Sequence, residues 1–122
     1  MSSPCFGRIV WVVIPDSRGL TRERHPAIIL SSNDRIGVGG RVWLVGISTK
    51  SNLAPEEVRT EMQYDPRGNC RSGLREQCWA VSTWLVEVEI AEIEDYAGTV
   101  KGTTMAELIG KIPPAKARSV GL

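Results

Sequence analysis

The chain predicts a mainly β fold (β+α): a small, strongly bent barrel of five to seven mostly antiparallel strands, finished by a C-terminal helix. Three observations carry this expectation. Apolar runs of strand length recur from Gly7 to Ile90 with turn residues between them. Only one segment, Thr104 to Ile112, repeats its apolar residues at helical spacing. At 122 residues the chain has room for one core and one domain, placed at residues 1–114, with 115–122 a loose tail.

The elements follow in order. Gly7-Arg8-Ile9-Val10-Trp11-Val12-Val13-Ile14 is a near-continuous β-branched and aromatic run, the composition of a strand buried on both faces. Pro26-Ala27-Ile28-Ile29-Leu30 is a second such run. A glycine-rich turn at residues 33–40 leads to a third strand, Arg41 to Ser48. Glu57 to Tyr64 alternates polar and apolar residues, which predicts a strand with one wet face that leaves Val58, Thr60 and Met62 exposed. Cys78 to Trp84 and Leu85 to Ile90 form a longer β segment in which Glu87 and Glu89 alternate with Val86, Val88 and Ile90. The acidic residues Glu87, Glu89, Glu92, Glu94 and Asp95 are read as a solvated strand face rather than a metal site. Thr104-x-x-Glu107 has the pattern of a capping box, and Met105, Leu108, Ile109 and Ile112 form one apolar helix face, stopped by Pro113-Pro114.

Composition narrows the function classes. With 42% hydrophobic and 24% charged residues the chain reads as globular, and a net charge of +1 excludes a globally basic nucleic-acid binder. Any affinity for nucleic acid must come from a local patch. No apolar run approaches the roughly 20 residues that span a bilayer, and Met1-Ser2-Ser3-Pro4 opens no signal peptide, so the expected compartment is the cytoplasm with no membrane partner. Cys5, Cys70 and Cys78 match no zinc or CxxC spacing, and one histidine cannot complete a zinc site; no metal or other cofactor is expected. A Cys70–Cys78 bridge fits the spacing, whereas a reducing compartment favours free thiols, with Cys78 buried. P-loop, GxGxxG, HExxH and nucleophile-elbow motifs are absent from the sequence.

Two connections gather the cations. Asp16 to His25 holds Arg18, Arg22, Arg24 and the only histidine; Tyr64 to Gln77 holds Arg67, Arg71 and Arg75. Two arginine loops on one sheet form either a track for a phosphate backbone, with Tyr64 or Trp79 as a stacking surface, or ordinary solvated surface. His25 is the one side chain whose intrinsic pKa range lies near neutrality, with Arg24 beside it. A histidine before proline could equally cap its strand. Ser48, Thr49 and Lys50 end the third strand, where a hydroxyl either orients a phosphate or bonds its own backbone. The four tryptophans lie inside strands and read chiefly as core.

The order of these motifs resembles the PemK/MazF toxins of type II toxin–antitoxin systems. Gly7-x-Ile9-Val10-Trp11-Val12, a polar loop, and x-Pro26-Ala27-Ile28-Ile29-Leu30-Ser31 are similar to the family's opening. Val45-Gly46-Ile47-Ser48-Thr49 is similar to the end of its third strand, and Gly98-Thr99-Val100 with Met105 to Ile112 to its closing strand and helix. The resemblance implies an SH3-like barrel and a sequence-selective, metal-independent endoribonuclease acting on single-stranded RNA, by 2′-hydroxyl attack. It further implies a homodimer silenced by a cognate antitoxin protein. Catalysis then falls to His25, Arg24 and Ser48, and RNA binding to Arg18, Arg22, Thr49, Lys50, Arg67, Arg71 and Arg75.

Two departures stand beside this. The family's arginine before the proline of the second strand is His25 here, and its early fifth-strand Arg-x-Asp pair is replaced by Trp79-Ala80-Val81-Ser82-Thr83-Trp84. They support an alternative: a catalytically impaired member that binds RNA or protein without cutting. Either way, His25, Ser48 and the two arginine loops are expected on one face, since proton transfer needs heavy atoms within about 3 Å or one bridging water.

Overall fold

A computed structural model describes residues 3–36, 40–50, 52 and 54–122; residues 37–39 of the glycine-rich turn lie outside the described residues. Six strands, β1 (Arg8–Pro15), β2 (Arg22–Ile29), β3 (Arg41–Ser48), β4 (Arg59–Glu61), β5 (Trp79–Glu89) and β6 (Ile93–Thr99), form one antiparallel sheet in the order β4-β5-β3-β2-β1-β6. Two helices follow, α1 (Gly102–Gly110) and α2 (Pro114–Ser119). The fold is mainly β with a C-terminal helix, as its sequence predicts.

The unbroken apolar composition of β1 has its counterpart in two cores. Ile9 joins Ile28, Val45, Ile47, Ala80 and the helix residues Met105 and Leu108 on one side. Val10, Val12 and Ile14 join Ala27, Ile29, Leu44, Val81 and Trp84 on the other. α1 seals the first core; Ser82 Oγ donates to the Leu108 carbonyl at 2.7 Å, tying the helix end to β5. Lys111 Nζ donates to the Arg59 carbonyl at 2.6 Å and so ties the same end to β4.

The sheet is curled but not closed by strand pairing. Its edges, β4 and β6, are bridged by the connection at 64–77: Gly98 N–H donates to Ser72 O at 2.9 Å, Thr99 N–H to Arg71 O at 3.0 Å, and Ser72 Oγ to Gln63 O at 2.7 Å. Gly98 permits this approach, because a side chain there would collide with the Arg71 carbonyl and stand 2.7 Å from Ser72 O.

Several expectations are corrected. The strand read at 57–64 shrinks to β4, after a 3₁₀ turn at Glu56–Val58. Thr60 and Met62 are buried rather than exposed, because α1 and the 64–77 connection cover that edge. The longer β segment read at 78–90 is β5, one residue shorter at each end, and Ile90 instead opens a 3₁₀ turn, Ile90–Glu92, in which Glu92 and Glu89 cap the turn reciprocally. α1 starts at Gly102, so Thr104 lies inside its first turn and caps nothing. The segment read as a loose tail contains α2, held by buried Val120 and by the Lys116 Nζ bond to Thr83 O at 3.2 Å. Among the described residues no helix is long and apolar enough to cross a membrane, and no cluster of His, Cys, Asp and Glu could hold a metal ion.

Candidate active-site groove

The groove begins where two strands part. β2 pairs with β3 only across Ala27–Gly46, Ile28–Val45 and Ile29–Leu44. Pro26 has no amide hydrogen for a ladder, and the pairing ends beside it. Arg22 to Pro26 therefore runs on against β1 alone, leaving a fork between β2 and the end of β3. β5 is irregular at this level: Val45 faces Leu85 and Ile47 faces Ala80, so two steps on β3 match five on β5. The extra length delivers Trp84 into the fork. Its indole lies over Gly46, where a Cβ would collide with the six-membered ring, and its Nε1 donates to Pro15 O at 3.0 Å.

Trp84 seats the histidine. The His25 ring meets the indole edge-on, centroids 4.9 Å apart and planes at 81°. The His25 side chain is only 23% exposed, and Nε2 is buried with no hydrogen-bond partner. Glu23, on the same strand face, brings Oε2 to 4.0 Å of Nε2, beyond hydrogen-bond reach. Ser48 stands across the fork. Its Oγ accepts from Lys50 N–H at 3.0 Å, which leaves the hydroxyl proton to be donated elsewhere.

The loop from Asp16 is built rather than slack. The Asp16 carboxylate accepts from Leu20 N–H at 2.8 Å, Arg18 N–H at 3.1 Å and Thr21 Oγ1 at 3.3 Å. The Leu20 amide foremost holds this carboxyl below its usual range, against a desolvation effect in the other direction. Arg24 takes a different role from a free cation. Its Nε donates to Glu94 Oε1 at 3.0 Å, and its guanidinium stacks 4.7 Å from the Trp11 ring centroid.

Of the residues picked out by sequence, His25, Arg24, Ser48, Arg18, Thr49 and Lys50 line one groove of about 620 Å³. Arg18 and Lys50 make no ion pair among the described residues. Arg75 lines an adjoining recess that shares Trp11, Thr49 and Glu76 with the groove. Arg22 points back to Val13 O at 3.3 Å and does not line the groove. Arg67 and Arg71 also lie outside it, Arg71 donating to Thr99 Oγ1 at 3.0 Å on the β6 side. Neither Tyr64 nor Trp79 lines either space; the aromatic residue common to both is Trp11.

The model of the PemK-like, MazF-like toxins of type II toxin–antitoxin systems matches residues 6–113. The chain belongs to this family. No curated protein matches it. The MazF-like fold is shared with solved structures of low sequence identity. A mycobacterial endoribonuclease in complex with its cognate antitoxin is 18% identical, with TM-score 0.70 over 98% of this chain and 99% of that one. An endoribonuclease from a mycobacterial species is 19% identical, with TM-score 0.67 over 100% and 97%. MazF from Deinococcus radiodurans is 17% identical, with TM-score 0.67 over 92% and 94%.

Sequence reasoning overlooked Asp16, Glu23, Trp84 and Glu76 in this MazF-like groove. Asp16 had a legible signal, since Asp followed by Ser-Arg-Gly between two strands is a turn-forming string. Trp84 had none: it looks like the chain's other strand tryptophans until the β5 irregularity is seen.

Proposed function

We propose that this MazF-like toxin is a sequence-selective endoribonuclease of single-stranded RNA that needs no metal. One observation carries the reading: the His25 imidazole, its side chain 23% exposed, shares a groove with the Ser48 hydroxyl and with Arg18 and Lys50, cations that form no ion pair among the described residues. The reaction forms a bond from the 2′-oxygen to phosphorus and breaks the P–O5′ bond, leaving a 2′,3′-cyclic phosphate and a 5′-hydroxyl. His25 acts as base toward the 2′-hydroxyl or as acid toward the departing 5′-oxygen. Ser48 orients a phosphate oxygen, and Arg18, Lys50 and Thr49 bind neighbouring phosphates. Arg24 joins them by exchanging Glu94 for phosphate. That pair is about half exposed on both sides, and such surface pairs are worth roughly 0–1 kcal/mol.

The test is incubation of mixed-sequence RNA in EDTA. Cleavage is expected, with cyclic-phosphate and 5′-hydroxyl ends, and His25→Ala should lose at least about 100-fold. Intact RNA with the natural protein, or equal rates with His25→Ala, would refute the mechanism. A second reading, an RNA-binding member without cleavage, is favoured by the hold of Glu94 on Arg24. Salt-dependent RNA affinity with no products would establish it.

The same reading includes a homodimer and a cognate antitoxin laid across the groove, as in the family. Burial of Thr60 and Met62 removes the β4 face as the dimer surface, which leaves the exposed side of α1. A monomer at micromolar concentration in light scattering would count against the dimer.

A further inference from the structure

Among the described residues three carboxylates line the groove; Asp16 is held by its own loop and Glu23 lies against His25, which leaves Glu76. It lines both the groove and the adjoining recess, is exposed, and has no hydrogen bond or ion pair among the described residues. A carboxylate here repels the RNA backbone that Arg18 and Lys50 attract. It is useful only if a hydrogen-bond donor of the substrate reaches it. The recess supplies the setting for such a donor. It measures about 370 Å³ and is walled by Trp11, Gly73, Leu74, Cys78 and the stem of Arg75, whose guanidinium lies against Gly68, with Thr49 and Glu76 on the side it shares with the groove. Its position is fixed, because Leu74 and Cys78 belong to the buried core and Asp65 N–H donates to Leu74 O at 2.9 Å across the base of the connection.

Resting on the RNA reading above, we propose that this recess holds one unstacked nucleobase beside the scissile phosphate, and that Glu76 selects a base with an exocyclic amine. Adenine, cytosine and guanine each carry an N–H₂ group that an ionised carboxylate can accept from, at N6, N4 and N2; uracil and thymine carry none, and where adenine and cytosine have their amine they offer a carbonyl oxygen that a carboxylate repels. A planar base against Trp11 and Leu74 replaces water at an apolar wall, as in other single-strand binders. Phosphate contacts from Arg18, Lys50 and Thr49 would hold the strand, and the recess would give it register.

The experiment uses deoxyribohexamers of A, C or T, which lack the 2′-hydroxyl and so cannot be cut by the proposed reaction. Binding is read by quenching of tryptophan fluorescence. The natural protein is expected to bind the A and C hexamers about tenfold more tightly than the T hexamer. Glu76→Gln, whose amide both donates and accepts, should bring the three within about twofold. Thr49→Val, which removes a hydroxyl beside Glu76 but no charge, should weaken all three without changing their order. Equal binding of all hexamers by the natural protein, or an unchanged preference in Glu76→Gln, overturns the proposal. If preference holds and disappears with Glu76 while RNA stays uncut in EDTA, the nuclease reading fails and the base subsite stands.

Discussion

Adding a single methyl group at Gly46 tests the architecture of the groove most severely. In Gly46→Ala the new carbon lands in the six-membered ring of Trp84, with Cε2 only 2.7 Å away. β3 cannot retreat, since it is paired with β2 on one side and β5 on the other. The indole must swing out of a site where it is 5% exposed. Overpacking of this kind costs about 1–3 kcal/mol. The lost Trp84 Nε1–Pro15 O bond adds about 0.5–1.5 kcal/mol. The His25–Trp84 edge contact goes with it, worth about 0.5–1.5 kcal/mol for an aromatic pair. A loss of about 2–6 kcal/mol is therefore expected in urea unfolding followed by circular dichroism, together with loss of the RNA cleavage we propose for His25. Trp84→Leu in the Gly46→Ala background should recover part of the packing cost, so that the double variant is about 1–2 kcal/mol better than the sum of the singles. Stability within about 0.5 kcal/mol of the natural protein for Gly46→Ala would refute the seating of His25 by Trp84 on Gly46.

Three other outcomes are expected. Ser82→Ala removes one hydrogen bond to the buried Leu108 carbonyl, which also accepts from Lys111 N–H at 3.2 Å, and should lower the unfolding free energy by about 0.5–1.5 kcal/mol with an unchanged denaturant slope; no change would mean that α1 is not held through β5. Asp16 has its carboxyl lowered below 3.8, first by the Leu20 amide, so its contribution to the loop is present above 3.8 and is lost as pH falls through the folded value; the Leu20 amide shift in NMR should titrate with a midpoint under 3.8, and a midpoint above it would contradict the turn. Burial pushes the Cys78 thiol up to about 12, whereas at Cys70 burial raises the thiol but is outweighed by hydrogen bonds from Ser72 and the backbone around Gly73; iodoacetamide at pH 8 should label Cys70 well ahead of Cys78 in the folded protein, and equal rates would refute the burial of Cys78.

The parts of this molecule legible in its sequence are those set by local chemistry. Apolar runs match β1, β3 and the second half of β2; Arg22 to His25, which read as loop, extend β2 along β1, and beyond Pro26 toward the chain start β3 no longer pairs with it. His25 and Ser48 were legible because each stands next to a chain feature, a proline and a strand end, that fixes where it lies. What escaped is set by distant packing. Met62 alternates with polar neighbours as a half-wet strand would, yet α1 and the 64–77 connection bury it. Nothing within Trp79 to Trp84 announces that β5 carries surplus residues opposite Gly46, so the tryptophan that seats the histidine looked like any other. Arg67 and Arg71 share a loop with Arg75, but only the last lines a recess beside the groove, since Arg71 is drawn to β6 by the seam between the edges.

That seam has a consequence for how copies of the protein can meet. A sheet with two open ends invites a second chain to add itself as another strand, the first step of runaway assembly. Here residues 71 and 72 already occupy backbone positions of β6 around Gly98 and Thr99, and Lys111 reaches the Arg59 carbonyl of β4. At these places a newcomer finds its hydrogen bonds taken. A second copy meeting the protein at these edges would therefore meet side chains rather than free backbone, and individual residues could strengthen or weaken such a contact without unpicking the sheet.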